Sequence, residues 1–337
     1  MIQCDDFDLH PMLYRTFMIT LSIVTPPVNI FALYCIVRKS SKQMGHYKWY
    51  LLAYQLVSCT FDFVFTVLIV PVVFFPIPMG YADSPLARWM SLSSHAALII
   101  FISSVPFLAV SILSLFSYRC QLIIPRHHFL KTSQRGQFYF TIILLAVYSV
   151  PVSAGLVNIS PNQIEAKQWV LEEYSCAKSV IDAPRLHVYT PTSIRRLVIT
   201  ASVLGIFAII FLLYILWLSF HFLNKGDHLS HKTKLLQRRF LIYLCIQVSV
   251  PLFIFVTPVL ILMYMFGTSA PIGQGGGNFA LCCMGFHGAL SPVSLILCND
   301  NYRKFTFAKM RCRYRRNDRK VNTSYSVEQN LARSATH

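Results

Sequence analysis

Charge is scarce in this sequence. Only 13% of the 337 residues are Asp, Glu, Lys or Arg, about half the share of an average soluble domain. With 55% hydrophobic residues, a water-soluble chain would lack the polar surface to cover itself. Acids are scarcer still, 13 against 30 Lys and Arg. The 13 glycines have no three-residue period, which excludes a collagen-like chain. The 10 cysteines are spread along a long chain, which excludes a small disulfide scaffold. A mean hydropathy of +0.53 excludes wholesale disorder. No Gly-x-Gly-x-x-Gly follows a strand pattern, so no glycine loop is set to cradle phosphate. Internal repeats are absent too. The net charge of +17 would suit a nucleic-acid binder, but its Lys and Arg sit in short clusters between long apolar runs and form no single stripe. Nucleic acid is therefore not an expected partner. What remains is an all-α, polytopic membrane protein.

Seven mainly apolar runs approach or exceed the ~20 residues needed to cross ~30 Å of hydrocarbon. They cover residues 13–37, 49–75, 92–118, 138–157, 197–222, 240–266 and 279–297. They are continuous and too long for alternating barrel strands. The expected architecture is a seven-helix transmembrane bundle over 13–297, with a short N-terminal segment (1–12) and a basic tail (298–337). Of the 30 Lys and Arg, 23 fall after the first, third and fifth runs or in the tail. The excess of cations on the cytoplasmic side puts the N-terminus outside and the tail inside. Asp5, Asp6 and Asp8 stand where a secretory signal would carry basic residues, so the first run is expected to export its own N-terminus.

Between these runs, residues 158–194 form the one long external segment, either a lid over the bundle or a solvated connector. Gly273–Gln274–Gly275–Gly276–Gly277 is expected to be a flexible link. In the tail, residues 301–314 interleave Tyr302, Phe305 and Phe307 with Arg303, Lys304 and Lys309. That mixture suits a helix on an anionic leaflet, making membrane lipid a partner. Residues 321–337 are expected to be disordered.

By this topology only Cys4 and Cys176 reach the oxidising side. They are a candidate disulfide; two separate thiols is the alternative. Asn158-Ile-Ser160 is a glycosylation acceptor near the outer surface, whereas Asn322-Thr-Ser324 is inside and stays unmodified. Cys298 and Cys312 lie near the inner leaflet, as palmitoylation candidates or as plain thiols.

No catalytic constellation is visible, so the chain is not expected to be an enzyme. His10, His95, His127 and His128 make no zinc pattern, and neither metal nor cofactor is expected. Deep in the spans the ionisable groups are Asp62 and His287; His95 is near an outer end. Intramembrane ionisable groups are functional candidates by default. Asp62 reads better as a polar anchor between helices than as a cation site, and His287, beside Gly288, as a helix-packing group. Pro26, Pro27, Pro71, Pro106, Pro151, Pro251, Pro258 and Pro292 each remove a helix hydrogen bond and can kink a span. Arg119, Arg126, Lys232, Lys234, Arg238 and Arg239 would form a basic inner surface for a partner; the alternative is topology alone. A transporter or ligand-gated channel is the competing class, but it would need more polar groups along a path.

One set of residues resembles a known family. It comprises Tyr47-Lys-Trp-Tyr-Leu51, Asp62, Pro71, Phe74-Phe-Pro76 and Gly80-Tyr81; then Lys232-Thr-Lys-Leu-Leu-Gln-Arg-Arg-Phe240, Ile246-Gln-Val-Ser-Val-Pro251 and Pro258; then His287-Gly288 and Tyr302-Arg303. In order and spacing these residues resemble the nematode chemosensory serpentine receptors, most closely class H, with class I a sibling. The resemblance implies a seven-helix receptor in the plasma membrane of chemosensory neurons, sensory cilium included. It also implies a small-molecule ligand, bound from the outer side, and signalling through a heterotrimeric G protein. The sequence departs from the family at Ser117-Tyr118-Arg119-Cys120, where members often carry an acid two residues before the arginine. It also has Ser291-Pro292 in place of an Asn-Pro-x-x-Tyr motif.

Overall fold

The computed structural model describes residues 7–41, 44–125, 127–157, 159–225, 230–268, 273–309 and 311. Helix α1 (Met12–Lys39) starts just after Pro11 and ends on Arg38 and Lys39, cations at the negative end of its dipole. Helix α2 (Tyr47–Phe63) widens at its end into a turn of i→i+5 bonds over Val64–Ile69. Val70 then takes a left-handed φ of 47°, costly for a β-branched residue, and the chain leaves the helix axis. Strands β1 (Pro71–Val73) and β2 (Met79–Ala82) follow as an antiparallel hairpin with Val72 opposite Tyr81.

Helix α3 (Pro85–Trp89) opens with a strong cap. Ser84 Oγ accepts from the amides of Leu86 (3.0 Å) and Ala87 (3.4 Å), and Pro85 sits where a missing N–H costs nothing. Helix α4 (Ser94–Ile123) is capped likewise by Ser93. Helix α5 (Gln134–Val157) leads to α6 (Gln163–Glu173), which Asn162 caps. A 3₁₀ turn over Ser175–Ser179 and strand β3 (His187–Val188) complete this segment. β3 pairs antiparallel with β2, giving the order β1-β2-β3. The remaining helices are α7 (Pro191–Lys225), α8 (His231–Thr268) and α9 (Gln274–Cys298). Residues 300–309 are also helical.

Among the described residues, seven helices are long and apolar enough to cross a membrane: α1, α2 with its wide turn, α4, α5, α7, α8 and α9. Neighbours run α1–α2–α4–α7–α8–α9 and back to α1, closing a ring, with α5 outside against α4 and α7. α2 and α9 are the most buried spans and α7 the least. α7 turns Ile206, Phe207, Leu213 and Trp217 outward. Apolar side chains on the outside are the natural state of a span whose solvent is hydrocarbon. The sheet, α3 and α6 lie at one end, here the sheet end. The α1–α2, α4–α5 and α7–α8 connections and the 300–309 helix lie at the other, the basic end.

Several sequence expectations change. The second run was expected to stay helical to Phe75, but the helix stops at Ile69 and Pro71 opens a strand. Phe74 and Phe75 are still 0% and 1% exposed; the apolar run continues because the hairpin is buried, not because it is helix. The glycine-rich link is instead the first turn of α9. There Gly277 packs on Phe75 so closely that a Cβ would fall 1.8 Å from the ring. The basic segment expected as loop over 231–239 is the start of α8, and Arg119 lies inside α4 rather than after it. Residues 159–190 are folded onto the bundle: Ala166, Val170, Ala177, Val180 and Val188 join the main core, and this segment is called the lid below.

Candidate functional site

Three polar features interrupt the apolar bundle. The first is at mid-membrane. Asp62 (α2) is 4% exposed and His287 (α9) 2%. Their closest atoms, His287 Nδ1 and Asp62 Oδ1, are 3.6 Å apart, an electrostatic contact too long for a hydrogen bond. Asn29 (α1) donates Nδ2–H to Asp62 Oδ2 at 3.4 Å and accepts from Gln55 Nε2 at 2.8 Å. One turn toward the basic end, the hydroxyls of Tyr54 and Ser291 lie 3.0 Å apart. α1, α2 and α9 are thus stitched by one polar belt. Gly288 makes room for it: a Cβ there would fall 2.4 Å from Asp62 Cγ. His287 Nδ1, Gln55 Oε1 and Ser58 Oγ are buried without a hydrogen-bond partner among the described residues, so the belt's bonding capacity is not used up in this packing.

The second feature is Arg119, 7% exposed near the basic end of α4. No carboxylate meets it among the described residues. Its Cζ lies 3.5 Å from the ring centroid of Tyr47 (α2) and 5.1 Å from that of Phe240 (α8). A weakly hydrated, planar cation suits such aromatic faces, each contact being worth ~0.5–2 kcal/mol. Its Nε has no hydrogen-bond partner among the described residues. Ser117, where an acid was looked for, donates to Gln137 Oε1 at 3.2 Å and ties α4 to α5 instead.

The third feature is the lid. The rings of His95 (α4) and His187 (β3) stack at 5.1 Å and 22°. Tyr189 closes the group, its hydroxyl 3.0 Å from His95 Nδ1. Burial, with His95 beside it, pushes the His187 imidazole down to about 4. The N-terminal side is strapped down as well. Asp8 exchanges two 2.8 Å hydrogen bonds with the Gln274 side chain. Tyr81 donates to the Leu9 carbonyl, and Arg15 pairs with Asp83 at 2.8 Å.

Of the residues singled out in the sequence, Asp62 and His287 come together and Arg119 is caged. The other cations do not converge on it. Lys234 folds back onto the Asn224 carbonyl at 2.9 Å, and Arg239 turns to Tyr243 and, at 3.5 Å, Asp300. Lys232 and Arg238 are exposed. Cys298 is a half-buried free thiol. Cys4, Arg126, Asn158 and Cys312 lie outside the described residues, as do 321–337; Cys176 is in the 3₁₀ turn, its side chain outside that set. Tyr47, Phe240, Asn29, Gln55 and the His95–His187 stack were not foreseen as site residues. A buried Asn or Gln in an otherwise apolar run was the one signal that could have found the belt.

Seven apolar helices make this a multi-pass membrane protein. A family model described as "Serpentine type 7TM GPCR chemoreceptor Srh" matches residues 10–312. No curated protein sequence matches the chain. Among solved structures, the crystal structure of squid rhodopsin is similar, with a TM-score of 0.55 at 12% identity over 89% of this chain and 85% of that chain. At that identity the likeness speaks for the fold alone.

Proposed function

The chain belongs to the Srh family of serpentine seven-transmembrane GPCR chemoreceptors, and from that premise we propose that it is a ligand-operated switch between two packings of the bundle. A small molecule acts from the sheet end, taken to be extracellular, beneath the folded 159–190 lid. The basic end, taken to be cytoplasmic, meets a heterotrimeric G protein. The observation that carries this reading is the Arg119 cage. A buried cation held by rings from α2 and α8 joins three helices, and sliding α8 away exposes a charge at the basic end. A ligand drives such a change only through different affinity for the two packings. The unmet hydrogen bonds of the mid-membrane belt support a second packing. Arg238 and Lys232, exposed on α8, are the first contacts for a partner, with Lys234 and Arg239 recruited as their present bonds open.

The test is to display the full chain on cultured cells, with tags on both termini, and read G protein dissociation against a panel of volatile and lipid-like molecules. The expected result is an outside N-terminus, an inside C-terminus and at least one molecule that evokes a response lost in R119A/R238A/R239A at equal surface level. A response that survives the triple variant removes the basic end from coupling. Both termini on one face would overturn the receptor orientation itself.

A further inference from the structure

Cations crowd the basic end, and among the described residues they share one carboxylate, Asp300. It stands at the start of the 300–309 helix with two arginines on it. Arg303, one turn on in the same helix, reaches Oδ1 at 2.5 Å. Arg239 of α8 reaches Oδ2 at 3.5 Å. The Tyr243 hydroxyl, one turn along α8, aims that guanidinium by accepting from its Nε and Nη2 at 3.1 Å each. The acid's own helix is anchored elsewhere. Tyr302 is 0% exposed, with its hydroxyl 2.6 Å from Ser40 Oγ, just past the end of α1. Arg303 also donates to the Leu297 carbonyl of α9 at 3.3 Å. Asp300 is thus fixed from the α1 and α9 side, and α8 comes to it.

The place of Arg239 gives this pair its meaning. It immediately precedes Phe240, the ring that α8 lends to the Arg119 cage. A hold on Arg239 is therefore a hold on that ring. Arg119 itself meets no carboxylate among the described residues, so the acid that restrains this end acts one helix away, on α8. We propose that Asp300 is a latch: it keeps α8 against the 300–309 helix, and with it Phe240 on Arg119, until Arg239 is released. The inference rests on the two-packing reading and names what restrains it. The side chains of Arg239 and Asp300 are 60% and 36% exposed. A pair so exposed biases an equilibrium only about 1.5- to 5-fold and is screened by salt, which suits a catch that has to open.

The experiment replaces His231 and Lys304, both exposed, by p-acetylphenylalanine and couples a spin label to each ketone, which leaves the native thiols untouched. Double electron–electron resonance then measures the distance between the labels on the full chain in phosphatidylcholine nanodiscs. The chain with no further change is expected to show mainly the short distance. D300N and R239Q should each raise the ratio of long to short distances about 2- to 5-fold. The charge swap R239D/D300R should return the ratio toward its starting value. R135Q, an exposed cation at the same end, should change nothing. Raising salt to about 1 M, where the Debye length is ~3 Å, should raise the ratio without any variant, which keeps the test alive if one of them does not fold. Unchanged distances in D300N and R239Q, or a ratio that ignores salt, would overturn the latch. Ligand-independent G protein activation by D300N and R239Q on cells separates the latch from the coupling. Distances that lengthen with no added activation would keep the latch and remove the G protein.

Discussion

Gly288 on α9 faces the carboxyl of Asp62 on α2 with no room for a methyl group: a Cβ at 288 would fall 2.4–2.6 Å from Cγ and both carboxylate oxygens. This pair, rather than the charge alone, sets how closely two central spans approach. The G288A variant should lower the thermal midpoint in detergent, by an amount matching the ~1–3 kcal/mol of an overpacked core. D62A alone strands the Asn29 Nδ2 donor, at ~1–3 kcal/mol for the lost partner. The double variant G288A/D62A should be more stable than the sum of the two predicts, because the methyl fills space the carboxylate vacates. Strict additivity in that cycle would contradict the close approach.

The aromatic cage makes a prediction about signalling. Y47A or F240A removes one ring from Arg119 and should raise ligand-independent G protein activation about 2- to 10-fold, the range set by ~0.5–1.4 kcal/mol of cation–π attraction. Y47F keeps the ring and should behave as wild type. R119K keeps the charge but loses the plane that stacks on Tyr47, so it should resemble Y47A. If all four variants had wild-type basal activity at equal surface level, the cage would not restrain the switch.

The lid should respond to acid. His187 titrates near 4 when packed against His95, against 6.5 for a free imidazole. Its depressed value means the closed lid binds fewer protons than an opened one between these limits. Lid stability is therefore full above pH 6.5 and is lost as pH falls toward about 4. Amide exchange in residues 159–190 should speed up on going from pH 7.5 to pH 5, after correction for the intrinsic rate, and H187F should abolish that excess. PH-independent protection in the wild type would refute the link.

Cys4 and Cys176 remain candidates for a disulfide between the N-terminal strap and the lid. The strap is already anchored next to Cys4, through Phe7 against Phe74 and Asp8 against Gln274. C4S and C176S should each reduce surface expression, and to a similar extent, with C4S/C176S no worse than either. A defect confined to one of them would show that the two do not pair.

Much of the architecture was legible because hydrocarbon imposes one local rule: every span must be a long apolar run. That rule located all seven spans. It failed where an apolar run was buried for another reason, at Phe74–Phe75, whose hairpin is enclosed by the strap, α9 and the lid. It also failed at 273–277, where glycine density suggested slack but Gly277 serves close packing. Asp62 and His287 stood out because ionisable groups are rare at that depth. The Arg119 cage did not, since Tyr47 and Phe240 are distant in sequence and ordinary in composition. The lid's histidine stack was hidden for the same reason: His95 and His187 belong to different elements, and spacing says nothing of their approach.

Helix α8 has 38 residues, about 57 Å at 1.5 Å each, nearly twice the ~30 Å hydrocarbon thickness. Its prolines sit far from its basic end: His231 is about 30 Å along the axis from Pro251. In the proposed switch the helix would act as a lever with its fulcrum inside the bilayer. A bend of only ~5° at that proline would sweep the far tip sideways by about 2–3 Å. Phe240, partway along the arm, would travel about half as far, enough to lift its ring off Arg119. In the proposed switch, mechanical advantage would let a modest adjustment at the middle of the membrane become a displacement that a neighbouring protein can feel.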